Sequence, residues 1–93
     1  MLIQVKKFGT TLSSRPAGKE AYAAYLPTLN EIGDKEEVDI DFEDVLLLGP
    51  SWADEFLTPI IDKYKDRVTL RNTENPSVKM TINFLKKIKE NRL

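Results

Sequence analysis

The sequence VDIDFEDVLLLGPSWADEF, residues 38–56, spans a strand, a turn and the start of a helix, and the architecture of the chain follows from it. Val38, Ile40 and Phe42 alternate with acidic residues, which predicts a strand with one apolar and one acidic face. The acidic face consists of Asp39, Asp41 and Glu43. Three carboxylates on one strand face are too costly to bury, so we expect that face of the sheet to be open to water.

The residues after this strand predict a turn and a helix. Three leucines at 46–48 form a short, fully apolar segment that leads into a Gly-Pro turn. From Ser51 onward, apolar residues recur every three or four positions and give a helix one apolar face for three turns. They are Ala53, Phe56, Leu57, Ile60, Ile61 and Tyr64. Pro59 interrupts the hydrogen bonding of such a helix, so we expect a bend, or a break with Thr58 as a new cap.

The N-terminal third predicts one strand and one helix. Residues 2–8 predict the strand, and Ser14 is the expected N-cap of the helix, with Pro16 in its first turn. The apolar face of this helix consists of Tyr22, Tyr25, Leu26, Leu29 and Ile32. Pro27 lies inside it and is expected to kink or split it, and Gly33 to end it.

The C-terminal third completes the pattern. Residues 67–72 predict a third strand, and Asn75 and Pro76 the N-cap and first-turn proline of a last helix. Its apolar face consists of Val78, Ile82, Leu85 and Ile88. The order is therefore β-α-β-α-β-α. Strands separated by helices run largely parallel with right-handed crossovers, so we predict one α/β domain over residues 1–93, with a small, mixed, largely parallel sheet and helices packed on one face.

Composition limits the function classes. The 93 residues include no cysteine and no histidine, so a disulfide framework, a thiolate metal site and the commonest general acid–base group are absent. We therefore expect no enzymatic activity, no metal and no cofactor. The N-terminus is too poor in apolar residues for a signal peptide, and no run approaches the ~20 apolar residues of a membrane span. We expect a soluble, cytoplasmic protein with no membrane partner.

The net charge of −1 conceals an uneven distribution. Residues 31–55 carry ten acidic side chains and one basic, whereas residues 1–30 carry four basic and one acidic, and residues 56–93 nine basic and four acidic. Such a division can orient a charged partner. Equally, the acidic middle can be a solvated segment whose charges pair with the two ends.

Two charged patterns suggest other functions. The acidic strand residues, followed by Asp44, could bind a divalent cation weakly, but no loop fixes their geometry. The last helix has basic residues that could contact nucleic acid: Lys79, Lys86, Lys87, Lys89 and Arg92. No aromatic platform accompanies them, and the acidic middle opposes a polyanion, so nucleic acid is not the expected partner.

Ser51 admits two interpretations. As an N-cap, its hydroxyl accepts a backbone N–H of the first turn, and Asp54 answers as a short capping box. The same position places a hydroxyl at the positive end of a helix, where a phosphate is well tolerated. The residues alone do not choose between these roles.

The run VDIDFEDVLLLGPSWADEF resembles the central motif of a bacterial family of STAS-like domains, in which an acidic strand leads to a serine, an aromatic residue and Ala-Asp-Glu. The segment FGTTLSSRPAGKEA, around Arg15 and Gly18, is similar to the first motif of the same family. Anti-sigma factor antagonists are STAS domains, and their fold is a small mixed sheet with helices on one face. The resemblance thus implies a STAS-like fold over nearly the whole chain.

The resemblance also implies a function. STAS antagonists act by partner switching: a kinase of the GHKL ATPase type docks on the domain and phosphorylates a Ser or Thr at the start of the helix after the central strand, which abolishes docking. That position falls at or beside Ser51. This sequence has Gly-Pro-Ser-Trp where the antagonists have an Asp-Ser-Ser-Gly type of turn, so Pro50 could occupy the phosphorylated position.

We therefore expect a regulatory protein–protein interaction module whose partner is an ATP-binding regulatory kinase or an anti-sigma-like protein. The expected interface is the start of the 51–65 helix with its preceding turn: Ser51 as phosphorylation candidate, with Asp44, Trp52, Asp54 and Glu55. Trp52 lies off the apolar stripe, so it is either partly exposed and anchors a partner, or folds over the sheet edge as a core residue. The alternative is an unphosphorylated adaptor or ligand-sensing accessory domain, in which Ser51 is only a cap.

Overall fold

The computed structural model describes residues 1–91. It contains five strands and three α-helices, with 3-10 turns at Val5–Phe8 and Lys65–Arg67. The elements are β1 (Leu2–Gln4), β2 (Thr11–Leu12), α1 (Arg15–Leu29), β3 (Val38–Asp41), β4 (Leu47–Leu48), α2 (Pro50–Tyr64), β5 (Val68–Arg71) and α3 (Pro76–Asn91). The predicted alternation of strands and helices is confirmed.

The main sheet has the strand order β1-β3-β5, and both pairings are parallel. Each strand therefore lies beside the one that follows it after a helix, and right-handed crossovers along such an order place the helices on one face. A second, two-stranded parallel sheet pairs β2 with β4. The sequence gives no sign of β2, because two residues are too few for an alternating pattern.

Burial across the sheet confirms that one face is covered and the other open. Ile3 and Ile40 are paired in register and both fully buried, whereas their neighbour Leu2 is 53% exposed. On that open face Arg71 Nη2 lies 3.5 Å from Asp39 Oδ2. A sheet with one solvated face produces the apolar–acidic alternation seen in β3.

Asp41 is an exception to the expectation that the acidic face is solvated. It is only 8% exposed, and its Oδ1 accepts hydrogen bonds from Asn72 Nδ2 at 2.7 Å and from the Glu43 backbone N–H at 3.0 Å. These two bonds, the Asn72 bond foremost, lower the pKa of the Asp41 carboxyl. A carboxylate can be enclosed here because both donors stabilise its charged form.

The leucine segment is also less buried than its composition suggests. Leu48 is 1% exposed, but Leu46 and Leu47 are 67% and 41% exposed. β4 pairs on one side with β2, while the Leu48 carbonyl accepts a hydrogen bond from Thr81 Oγ1 of α3 at 2.6 Å. Of the three leucines, only Leu48 therefore has a buried side chain.

The expected N-caps of α1 and α3 are confirmed. Ser14 Oγ accepts the Ala17 N–H at 3.2 Å. Asn75 Oδ1 accepts the N–H groups of Ser77 and Val78 at 2.8 and 3.2 Å. The α1 helix ends at Leu29, earlier than expected.

Neither internal proline divides its helix. Pro27 lies in the last turn of α1, where little helix remains to be displaced, and Pro59 lies in the middle of the continuous helix α2. Thr58, expected as a new cap, donates instead from Oγ1 to Asp54 Oδ1 at 3.0 Å. The buried residues Phe56 and Ile60 on either side of Pro59 hold α2 together, since tertiary packing supplies most helix stability in proteins.

α1 and the start of α2 approach each other closely at Gly18. A Cβ on Gly18 would lie 2.6 Å from the Trp52 carbonyl oxygen and 2.9 Å from its Cα. Both atoms belong to the backbone, which cannot rotate away as a side chain can. Gly18 is thus required by the distance between α1 and α2.

We predict that Gly18→Ala destabilises the domain. Alanine normally stabilises a helix relative to glycine, but here the added methyl overpacks against backbone, and we expect a loss of about 1–3 kcal/mol. The matched control is Gly33→Ala, whose added Cβ would meet its nearest atom at 3.8 Å; it should change stability by less than about 0.5 kcal/mol. Urea unfolding of both variants measures the difference, and equal stabilities would contradict the proposed role of Gly18.

A second prediction concerns Asp41. Because its folded pKa is lowered, its ionised form stabilises the fold above the unfolded pKa of about 3.9, and this contribution is lost as the pH falls through the folded value. Asn72→Gly removes the main donor and tolerates the left-handed backbone of this position (φ 56°). We expect the Asp41 pKa, measured by carboxyl NMR titration, to rise in this variant.

The stability difference between wild type and Asn72→Gly should then be largest near neutral pH and shrink in acid. Asn83→Ala, an exposed change on α3, serves as the control and should show no such pH dependence. A wild-type advantage of constant size across the titration would contradict the assignment.

Candidate functional site

Residues 10–12 and 46–49, which lie far apart in sequence, are hydrogen-bonded to each other beside the start of α2. The backbone N–H groups of Leu46 and Leu47 donate to the Thr10 carbonyl at 2.9 and 3.0 Å. The Gly49 N–H donates to the Leu12 carbonyl at 2.6 Å. The two motifs noted in the sequence therefore meet at the N-terminal end of α2.

Of the two interpretations of Ser51, the structure excludes the N-cap. The N-cap is Gly49, in an extended conformation, and its carbonyl accepts the Ala53 N–H at 3.1 Å. Pro50 occupies the first helical position, which its fixed φ favours, so Ser51 is the second residue of the helix. No side-chain capping bond is made at this end of α2. The half-buried Ser51 hydroxyl lies in the first turn of α2, where a helix has unpaired backbone N–H groups.

Arg15 of α1 binds two carboxylates of α2. Its Nη1 lies 2.8 Å from Glu55 Oε1 and 3.1 Å from Asp54 Oδ2. These bonds, the Glu55 bond foremost, raise the pKa of the Arg15 guanidinium. The Asp54 carboxylate accepts hydrogen bonds from Arg15 and Thr58, and the capping box expected with Ser51 is not formed.

Ser51, Asp54 and Glu55 occupy one face of α2, because residues three and four apart on a helix are neighbours. With Arg15 they form a surface that we call the Arg15 surface. The pairing of Arg15 was missed from the sequence. Its signal was present, since Arg15 lies in the first motif and the two acids in the second, but only the fold shows that these motifs touch.

Of the two interpretations of Trp52, the structure supports the buried core residue and not the exposed anchor. Its side chain is 1% exposed and stacks on Phe56, with ring centroids 4.9 Å apart and an interplanar angle of 26°. Phe8 packs against the same pair, 6.1 Å from Trp52 and 4.8 Å from Phe56. Trp52 is therefore a core residue and offers no anchor to a partner. Its backbone is in close contact with Gly18 of α1.

Asp44 pairs with a different cation from the one that binds Asp54 and Glu55. It precedes β4, whereas Ser51 follows it, and its Oδ2 lies 3.2 Å from Lys6 Nζ. The hydrogen bond and charge of Asp44 raise the pKa of Lys6. Asp44 adopts a left-handed backbone (φ 65°), which aspartate tolerates better than most residues. It serves the turn after β3 and is not part of the Arg15 surface.

Half of the ten acidic residues in the middle of the chain form ion pairs with other parts of the domain. Of the six ion pairs within residues 1–91, five join an acid of residues 31–55 to a cation nearer either end of the chain. The acids concerned are Glu36, Asp39, Asp44, Asp54 and Glu55. Of the two interpretations of the charge division, the structure thus favours pairing with the ends.

The other charged patterns are separated by the fold. Among residues 1–91 no group of three or more acidic side chains is arranged to hold a metal ion. Lys86 and Lys89 of α3 face α2, where Lys89 Nζ lies 3.5 Å from Asp62 Oδ1. Arg92 lies outside the described residues. Over the same part of the chain, none of the helices has the length and apolar character needed to cross a membrane.

Comparison with known proteins agrees with the geometry. The family model described as a STAS-like domain of unknown function (DUF4325) matches residues 17–78, about two thirds of the chain. The match includes Gly18 and the whole central motif. No curated protein and no solved structure matches the chain significantly.

The cap assignments predict different effects for two serines. Ser14→Ala removes a hydrogen-bonded N-cap and should cost about 1 kcal/mol, within a range of 0.5–2. Ser51→Ala removes no cap and should change stability by less than about 0.5 kcal/mol. Thermal or urea unfolding of the two variants tests this; a larger loss for Ser51→Ala would restore Ser51 as a structural cap.

Proposed function

Since this chain belongs to the family of STAS-like domains, we propose that it is a small regulatory module that docks an ATP-binding partner protein through the Arg15 surface. The partner class is a GHKL-type ATPase or kinase of a partner-switching system, and Ser51 is the residue that it phosphorylates. The observation that carries the proposal is the contact of Arg15 with both Asp54 and Glu55 on the helix face that also holds Ser51.

The site is suited to a phosphate on chemical grounds. The Ser51 oxygen would attack the γ-phosphorus of ATP, ADP would leave, and the serine proton would pass to a base of the partner. A phosphoserine carries a charge of about −1.5 to −2 and is favoured at a helix N-terminus. This chain contains no histidine or cysteine, so in this proposal it is the substrate of the transfer and not its catalyst.

A phosphate at Ser51 would change the Arg15 surface in two ways. It would compete with Asp54 and Glu55 for the single guanidinium of Arg15. Any carboxylate that loses Arg15 would stand uncompensated beside the new charge, and repulsion would alter its position. A partner that fits the surface with both carboxylates held by Arg15 would then bind less well through repulsion and desolvation.

The alternative is a constitutive adaptor or ligand-sensing domain that is never phosphorylated. It draws support from a cavity between α2 and α3, whose lining and charge are described below. In that case Ser51 substitutions leave partner binding unchanged.

We predict that Ser51→Asp weakens partner binding about tenfold, the change produced by 1.4 kcal/mol. Arg15→Gln should act in the same direction, because it leaves Asp54 and Glu55 without their cation. The measurement is affinity capture from the native organism with wild type and each variant as bait, followed by titration of the recovered partner. Intact-mass and peptide mass spectrometry of the wild-type bait should locate a phosphate on Ser51.

Two controls make this result specific. Asn83→Asp adds the same charge at an exposed position on α3 and should bind the partner as wild type does. Ser51→Ala should bind normally but accept no phosphate when incubated with the partner and Mg-ATP. Equal capture by wild type and Ser51→Asp, with no phosphate on the bait, would reject the switch and favour the constitutive adaptor.

A further inference from the structure

A cavity of about 390 Å³ lies between α2, α3 and β5, on the side of α2 opposite α1. The two sides of α2 are packed differently. Toward α1, Gly18 allows the backbones to meet closely, whereas toward α3 the larger side chains Leu57, Ile61 and Leu85 keep the helices apart. Its volume is within the range of small-molecule sites, about 300–1,000 Å³.

The floor of the cavity is apolar and incompletely covered. Leu57 and Ile82 are buried at its base, but Ile61, Leu85 and Ile88 line it and remain half-exposed. Val68 and Leu70 of the edge strand β5 close one side and are also half-exposed. An apolar group that fills the cavity would bury this apolar surface, which favours binding.

The rim of the cavity has an excess of positive charge. Its two acids are already engaged: Asp54 by Arg15 and Thr58, and Asp62 by Lys89. Its other two lysines, Lys65 and Lys86, have no carboxylate within 4.0 Å in residues 1–91. The cavity thus combines an apolar floor with two cations that have no counter-ion among residues 1–91.

The charges are also distributed along the cavity. Asp54 lies on α2 and Lys65 directly follows the end of that helix, eleven residues further along the chain, a separation of about 16 Å along a helix axis. The acid lies toward the N-terminal end of the cavity and the lysine at the other. A ligand with one anionic end is therefore oriented by the rim, with its charge at the Lys65 end and its apolar part toward Asp54.

Lys65 has an unusual backbone as well. It follows the last residue of α2 with φ 47° and ψ −115°, outside the common regions for a non-glycine residue. Such conformations carry strain and occur often at ligand-binding positions. The conformation places the chain reversal that leads into β5 at the cationic end of the cavity.

We propose that this cavity binds a single-chain amphipathic carboxylate of the medium-chain fatty acid class. The alkyl chain lies on the apolar floor formed by α2, α3 and β5. The carboxylate is bound by Lys65 and Lys86. This ligand is inferred from the cavity and does not rest on the docking proposed at the Arg15 surface.

The test uses decanoate below its micelle concentration, with binding followed by calorimetry and by amide chemical shifts. We expect saturable binding with shifts at Ile61, Leu85 and their neighbours. Lys65→Gln and Lys86→Gln should each weaken it about fivefold, as expected for loss of one partly solvated ion pair. Lys79→Gln, on the same helix but outside the cavity, is the matched control and should bind as wild type does. Ile61→Trp should obstruct the middle of the cavity and weaken binding strongly, with folding confirmed by circular dichroism.

Two further probes test the class of ligand. Decanol has the chain without the charge and should bind more weakly than decanoate, and decylamine should bind weakest. The proposal is overturned if decanoate does not saturate, if decylamine equals decanoate, or if Lys79→Gln weakens binding as much as Lys86→Gln. It is also overturned if sedimentation shows a dimer that Ile61→Trp dissociates, because a second copy would then occupy the cavity.

Discussion

The contact of Gly18 with the Trp52 backbone fixes the relation between α1 and α2, and the candidate site depends on that relation. Arg15 lies three residues before Gly18 and Asp54 two residues after Trp52, so the contact that sets the helix distance also brings the guanidinium to the carboxylates. On its inner side the same contact encloses the indole of Trp52 against Phe56. One missing Cβ therefore determines a core cluster and a charged surface together.

The two sides of α2 differ in how tightly they pack, and this difference also depends on the close approach of α1. A helix that packs tightly on one neighbour cannot pack equally tightly on the next unless the side chains between them match, and the residues facing α3 leave a cavity. Asp54 belongs to both sides: it pairs with Arg15 and it lines the cavity. A ligand that shifted Thr58 or α3 would therefore act on a residue of the Arg15 surface, which gives the two proposed sites a direct physical connection.

The parts of the fold that were predictable from sequence are those set by local patterns. The alternation in β3, the caps Ser14 and Asn75 and the element order depend on neighbouring residues and are confirmed. The burial of Trp52 and the pairing of Arg15 were not predictable, because they depend on contacts between residues distant in sequence. Trp52 lies off the apolar stripe, yet the core covers it with Phe8. Ser51 has the composition of a cap, but the helix begins at Pro50 and its cap is Gly49, two residues before the expected cap. The pairing of Arg15 could not be read from either motif alone.

The internal pairing of the acidic segment changes how a partner can recognise it. A row of free carboxylates would attract any basic surface, whereas carboxylates held by Arg15, Lys6 or Arg71 present little uncompensated charge and must be displaced from their cations before they bind a new one. At these paired carboxylates, specificity rests on the shape of the paired surface more than on long-range attraction. A charge added at Ser51 would then act mainly by redistributing Arg15, because one guanidinium cannot satisfy a phosphate and two carboxylates at full strength. The arrangement of Arg15, Asp54 and Glu55 is therefore expected to respond to a charge at Ser51 more than to charges elsewhere on the domain.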